Sequence, residues 1–303
     1  LLASGRHLGV QPDTLTSLLR IMEDPLVAAG ELLPIVETDP GLTAALLKLA
    51  NSSHYGARRQ IGSVRDALVL LGNRTFARLA FLAGVDRMVQ EDLGAYQLTS
   101  AEIRTHGLAV GVAAAKLAEQ SGLHESKLPA FTAGILHDCG KVLLDPHLQG
   151  RVLDEARAAR GRLDPALEVA FTGYDHGRAG AGLLAAWGLP QSVVQAIRCH
   201  HRPGGAGDYR PLASVVWAAD TVVHLASDGA VLDPDDPGSP YRLFLEQGLE
   251  PELIQDIHAS FLAAGSDAVE TDTFNANVHT MADQDLEDRV YELNKLGAEV
   301  ARK

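Results

Sequence analysis

The residues of this 303-residue chain that could do chemistry gather around Gly134-Ile135-Leu136-His137-Asp138-Cys139-Gly140-Lys141. An imidazole supplies a neutral nitrogen donor, the adjacent carboxylate can bridge two cations, and an ammonium three residues on can hold a phosphate. The apolar neighbours Phe131, Ile135, Leu136, Val142 and Leu143 predict a buried helix here, where an unpaired His-Asp doublet is costly. On its own, such a doublet reads as a satisfied core histidine beside a salt-bridged aspartate. The rest of the chain changes that reading, because His106, His176, His200, His201 and Asp220 add further donors on otherwise apolar segments. Five imidazoles and two carboxylates exceed the needs of one tetrahedral ion, and so favour two neighbouring cations sharing a carboxylate. Mixed nitrogen and oxygen donors suit Fe, Mn, Ni or Zn, and spacing does not choose among them.

The segments that must position these donors are helical by their apolar spacing, and no period-two alternation lasts long enough for a sheet. The sequence therefore predicts an all-α protein, with an N-terminal helical block (1–95), a metal-binding helical core (96–230) and a C-terminal extension (231–303). In the first block, Asp39-Pro40 opens a helix that stops near Asn51-Ser52-Ser53, and Ser63 with Asp66 opens a second that runs to Gly72. Phe76, Leu79 and Ala80 continue in a third. That block carries no donor cluster, so His7, His54 and Tyr55 are read as structural. Residues 91–98 form the seam.

In the core, Thr99 and Glu102 make a capping-box pair on a helix that carries His106. Pro129 opens the helix expected to bear His137 and Asp138, and Ser121-Gly122 ends the one before it. Asp164-Pro165 and Asp175 cap two more helices, the latter starting at His176. A helix with Val193, Val194 and Ile197 delivers His200 and His201, and a glycine-rich stretch from Pro203 to Pro211 is read as a flexible mouth. Asp220 is the only acid in the apolar helix that follows. Residues 228–240 read as an acidic loop, and 284–303 as a charged amphipathic helix able to pack on the body or on a partner.

Hydrophobic residues make up 46% of the chain, enough for sizeable cores. No run approaches the roughly 18 apolar residues of a membrane span, and the start lacks a signal-peptide layout. Two cysteines, Cys139 and Cys199, are too few for a disulfide framework, which fits reduced thiols in a cytoplasmic protein. The net charge of −13 argues against a nucleic-acid polymer as partner. A small phosphorylated ligand or nucleotide remains compatible, since bound cations supply local positive charge.

The order His…His-Asp…His…His-His…Asp, with Lys141 after the doublet, resembles the HD phosphohydrolase superfamily and its two-metal HD-GYP branch. The chain as a whole is more similar to the HDOD family, the HD-related output domain of bacterial signalling proteins. That resemblance rests on Thr38-Asp39-Pro40-Gly41-Leu42-Thr43, Leu49-Ala50-Asn51-Ser52, Ala67-Leu68-Val69-Leu70-Leu71-Gly72, Ala133-Gly134-Ile135-Leu136-His137-Asp138 and Trp187-Gly188-Leu189-Pro190, and it spans about residues 8–225. It implies that His106, His137, Asp138 and Asp220 hold one divalent ion, while Asp138 bridges to a second held by His176, His200 and His201. Lys141 would contact phosphate, water activated between the ions would attack phosphorus, and Glu102 would help to hold a third ion. Two functions follow from the resemblance. One is a signalling module, regulatory or ligand-sensing, with signalling proteins as partners. The other is a phosphohydrolase or phosphodiesterase acting on a nucleotide or cyclic dinucleotide. Residues 202–211 lack the Gly-Tyr-Pro triplet of HD-GYP enzymes, so efficient cleavage of cyclic di-GMP is not expected.

Overall fold

A computed structural model describes residues 12–23, 29–51, 61–150 and 162–228, together with Phe244 and Leu249. His7, His54, Tyr55, most of the acidic loop and the C-terminal helix expected over 284–303 lie outside these residues. Among the described residues the chain is all helical, with one isolated bridge between Leu93 and Leu98 and no strands.

Helices α1 (Pro12–Glu23), α2 (Ala29–Glu37) and α3 (Pro40–Ala50) pack on the long α4 (Val64–Asp86). Asp39 caps α3 by accepting from Gly41 N and Leu42 N, each at 3.0 Å, and Arg87 Nη1 donates to the same oxygen at 2.7 Å. The cap thus also ties α3 to the end of α4. Asn51, just past α3, closes the excursion to Ile61 with bonds in both directions, 2.7 Å to Ile61 N and 2.8 Å to Ile61 O. Ser63 accepts from Asp66 N at 3.0 Å, starting α4 where the sequence places a cap. Gly72 has a φ of +72° and breaks α4, because that left-handed conformation is open to glycine at no steric cost. The two helices expected on either side of Gly72 are therefore both present.

Past the seam, α5 (Ser100–Gln120) packs along α6 (Lys127–Leu136), and α7 (Cys139–Leu148) lies against α8 (Pro165–Thr172) and α9 (His176–Ala186). Helix α10 (Gln191–Arg198) leads through a 3₁₀ stretch (Pro203–Tyr209) to α11 (Arg210–Ser227), which packs on α5, α6 and α10. The stretch read as a flexible mouth is thus 3₁₀-helical, with Pro203 and Ala206 buried as its anchors. A Cβ on Gly134 would lie 2.7 Å from Gly111 Cα, so the absence of side chains lets the α5 and α6 backbones touch. That contact brings His106 beside His137.

The N-terminal helices pack on this bundle through a continuous apolar core, with polar ties at its edges. Thr16 Oγ1 donates to Trp187 O at 2.8 Å, and Arg104 bonds Val89 O at 2.6 Å while pairing with Asp86 at 2.8 Å. Among the described residues no single helix is long and apolar enough to cross a membrane.

Candidate metal centre

His137 and Asp138 do not lie within one helix, as their apolar neighbours suggested. His137 ends α6 and Asp138, at φ −95° and ψ 0°, opens α7. The break turns both side chains inward at one point, and both are buried. Helix α6 also starts at Lys127, one turn's fraction before Pro129. Helix α5 brings His106, the capped start of α9 brings His176, the turn after α10 brings His200 and His201, and α11 brings Asp220. Asp175 caps α9 by accepting from Arg178 N at 2.7 Å, which fixes the entry of His176.

All seven donors converge. His176, His200 and His201 form one group, and His106, His137 and Asp220 a second; His137, Asp138 and His200 join them. Within the first group, His176 Nε2 lies 3.3 Å from His200 Nε2 and 2.8 Å from His201 Nε2. Within the second, Asp220 Oδ1 is 3.0 Å from His106 Nε2 and 3.5 Å from His137 Nε2. The Asp138 carboxylate stands between the groups: Oδ1 is 3.3 Å from His176 Nε2, and Oδ2 is 3.5 Å from His137 Nε2 and 3.9 Å from His106 Nε2.

The proton inventory shows why such a cluster suits cations. His137 Nδ1 is 2.7 Å from Gly134 O, His200 Nδ1 2.6 Å from Ile197 O, and His176 Nδ1 2.8 Å from both Glu168 oxygens. Oxygens of these kinds only accept, so each Nδ1 carries a proton and each ring turns its Nε2 inward, where the neutral form offers a lone pair. Lone pairs facing one another at about 3 Å repel unless a proton or a cation lies between them. The donor set therefore fits metal ions.

Two residues at the site escaped the sequence reading. His224 Nε2 lies 3.2 Å from Asp220 Oδ1, and its ring stacks on His106 with centroids 4.4 Å apart. Its i, i+4 spacing from Asp220 was the available signal. Glu168, fully buried on α8, also accepts from His176 N at 2.7 Å and from Tyr96 OH at 2.8 Å. Glu102, in contrast, is exposed and closes the capping box with Thr99, apart from the cluster. Lys141 is buried, with Nζ 2.6 Å from Asp138 Oδ2. Neither cysteine joins a donor group, and burial, with Asp138 next to it, pushes the Cys139 thiol up to about 12.

Burial works against ionised Asp138 and Asp220, but the surrounding imidazoles, with Lys141 at Asp138, outweigh it and hold both carboxyls well below their ordinary range. Burial, and then the charge of His224, lowers His106 to about 4, and burial with the neighbouring imidazoles holds His200 well below its ordinary value. For His137 burial is overcome by Asp138 and Asp220, which raise it to about 8. The signs differ in the metal-free chain. His106 and His200, depressed, stabilise the fold above pH 6.5 and lose that contribution as pH falls toward 4. His137, raised, stabilises it below 6.5 and loses that as pH rises through 8. Metal-free protein should thus melt at lower temperature as pH drops from 6.5 to 4, with roughly 3 kcal/mol lost at His106 alone. Thermal unfolding along that pH series checks this, and an unchanged midpoint would contradict the burial of neutral imidazoles.

A family model for the HDOD domain matches residues 8–203. The chain belongs to the HDOD family. A family model for homocysteine S-methyltransferase matches residues 226–303, and methionine synthase of Mycobacterium tuberculosis (strain ATCC 25618 / H37Rv) is 40% identical over 53 residues, 18% of this chain and 4% of that protein. An uncharacterised protein of Treponema pallidum (strain Nichols) is 29% identical over 259 residues, 83% of this chain and 49% of its own length. The HDOD chain thus spans about half of that curated relative. Among solved structures, a candidate phosphohydrolase from Shewanella amazonensis SB2B superposes with a TM-score of 0.63 at 22% identity, covering 91% of this chain and 97% of the other. An HDOD domain protein of unknown function from Geobacter sulfurreducens gives 0.58 at 22% identity, covering 99% and 97%. At such identity these likenesses speak for the fold.

Proposed function

We propose that this chain is a bacterial signal-transduction module of HDOD type, working in the cytoplasm, whose core holds two divalent transition-metal ions in a regulatory or ligand-sensing site. One observation supports the pair of ions above all others: the two oxygens of Asp138 face different imidazole groups, Oδ1 toward His176 and Oδ2 toward His137 and His106. On this reading His106, His137, Asp138 and Asp220 hold one ion, with His224 as a further nitrogen at hand, and His176, His200 and His201 hold the other with Asp138. This is the ligand set of the two-metal HD-GYP type. Bound cations there would lower the pKa of water and polarise a phosphoryl oxygen. A small phosphorylated ligand suits such a site, and the net charge of −13 disfavours a nucleic-acid polymer.

Lys141 favours a second reading, metal-dependent phosphoester hydrolysis. Its ammonium has no lone pair to compete for metal, and it lies beside the carboxylate that would face the substrate. The readings separate in one assay: bis(p-nitrophenyl) phosphate and cyclic di-GMP incubated with Mn- or Fe-loaded protein, beside His137→Ala and Lys141→Ala. The signalling reading expects cyclic di-GMP to stay intact and diester release no faster than in the His137→Ala control. Turnover that both substitutions abolish would replace it with the hydrolase.

A further inference from the structure

We propose that Glu168 is the positioning residue of the second cation group, holding His176 so that its Nε2 faces Asp138, and that Tyr96 extends this hold to the seam between the helical blocks. The proposal rests on the two-cation reading and adds to it a residue outside the seven donors.

The geometry is unusual for a glutamate. Glu168 is fully buried on α8, while Val169, Phe171 and Tyr174 around it are 38%, 42% and 52% exposed. The short helix is thus turned acid-side inward. Each carboxylate oxygen is occupied: Oε1 takes Tyr96 OH at 2.8 Å and His176 Nδ1 at 2.8 Å, and Oε2 takes His176 N at 2.7 Å with Nδ1 also at 2.8 Å. Gripping one residue by both its backbone and its ring fixes position and rotation together. It also forces the proton onto Nδ1, which leaves the Nε2 lone pair toward Asp138 and His200. His137 and His200 are oriented by backbone carbonyls, which any sequence supplies. A side chain does this work for His176, and an anionic acceptor makes the ring a stronger donor than a carbonyl would.

The other end of the bond leads to the seam. Tyr96 is fully buried in the turn closed by Leu93 and Leu98, and its neighbour Ala95 N donates to Asp145 Oδ1 at 2.8 Å. Lys141 Nζ sits 5.8 Å from the centre of the Tyr96 ring. The turn that joins the two helical blocks is therefore hydrogen-bonded, through one carboxylate, to an imidazole of the cluster.

The test is a Co(II) titration of the full metal-free chain, followed by visible absorbance and by bound-metal content, for wild type, Glu168→Gln and Tyr96→Phe. Glutamine keeps the shape but puts an NH₂ where a second acceptor is needed. The expected result is a first ion bound as in wild type and a second weakened about 10- to 100-fold in Glu168→Gln, with unchanged far-UV circular dichroism of the metal-free protein. Tyr96→Phe, which keeps the carboxylate, should weaken the same ion by less, and it carries the test if Glu168→Gln does not fold. A second ion bound as tightly in both variants as in wild type would overturn the proposal. So would an equal loss of both ions alongside a lower melting temperature, the mark of a packing role. Wild-type chain taking up fewer than two ions would be a different failure, that of the two-cation reading itself.

Discussion

Gly140→Ala should lower the melting midpoint of the metal-free protein by roughly 3–6 °C, corresponding to about 2–4 kcal/mol. Gly140 lies in the first turn of α7, directly against the start of α9. A Cβ there would overlap the carbonyl of His176 and come within 2.7 Å of Gly180 N. Both are backbone atoms, so no rotamer change can make room, and the helices must separate. The gain in helix propensity from glycine to alanine, about 1 kcal/mol, is too small to offset that. Because the displaced carbonyl belongs to His176, the same methyl should also weaken the second cation group. Gly62→Ala is the matched control, since a Cβ at Gly62 meets nothing within 4 Å. Equal midpoints for the two variants would mean that the α7–α9 contact is looser than described.

Much of this contact was hidden from the sequence. Gly140 next to Cys139 and Lys141 carries no periodic signal, and nothing local says that α9 will pass so close. The caps were legible, because a side chain acting on its own backbone is a local matter: Asp39, Ser63, Thr99 and Asp175 all accept from the amides expected of them. The seven donors were legible because imidazoles and lone acids on apolar helices are conspicuous, and the structure brings them together. Hydrophobic pattern gives no help where burial is inverted. Only a cap was read before this helix, and Glu168 lies inside it with Val169 and Phe171 at the surface, so nothing singled out its carboxylate. The break at His137-Asp138 was missed for a related reason, since apolar residues on both sides of a junction look like one continuous helix. The glycine-rich segment before α11 was read as loose, yet Pro203 and Ala206 pin it to the core.

The Asp138 carboxylate carries the central claim, and its removal should have the larger effect on the site. Asp138→Asn keeps the volume but halves the acceptor capacity, and an amide cannot face both imidazole groups as an anion. It also leaves the buried Lys141 ammonium, now 2.6 Å from Oδ2, without its counter-charge. Breaking a buried pair from one side costs about 3–5 kcal/mol, so part of the loss should appear as stability. The rest should appear as metal. On the proposed two-cation reading both ions would share this residue, so the variant should retain less than one ion per chain, however well the remaining imidazoles are placed. The decisive measurement is elemental analysis of wild-type and Asp138→Asn protein expressed in Mn- and Fe-supplemented medium and purified without chelator. The account predicts close to two transition ions per wild-type chain and less than one in the variant. Wild-type content near zero, or equal content in both proteins, would contradict it.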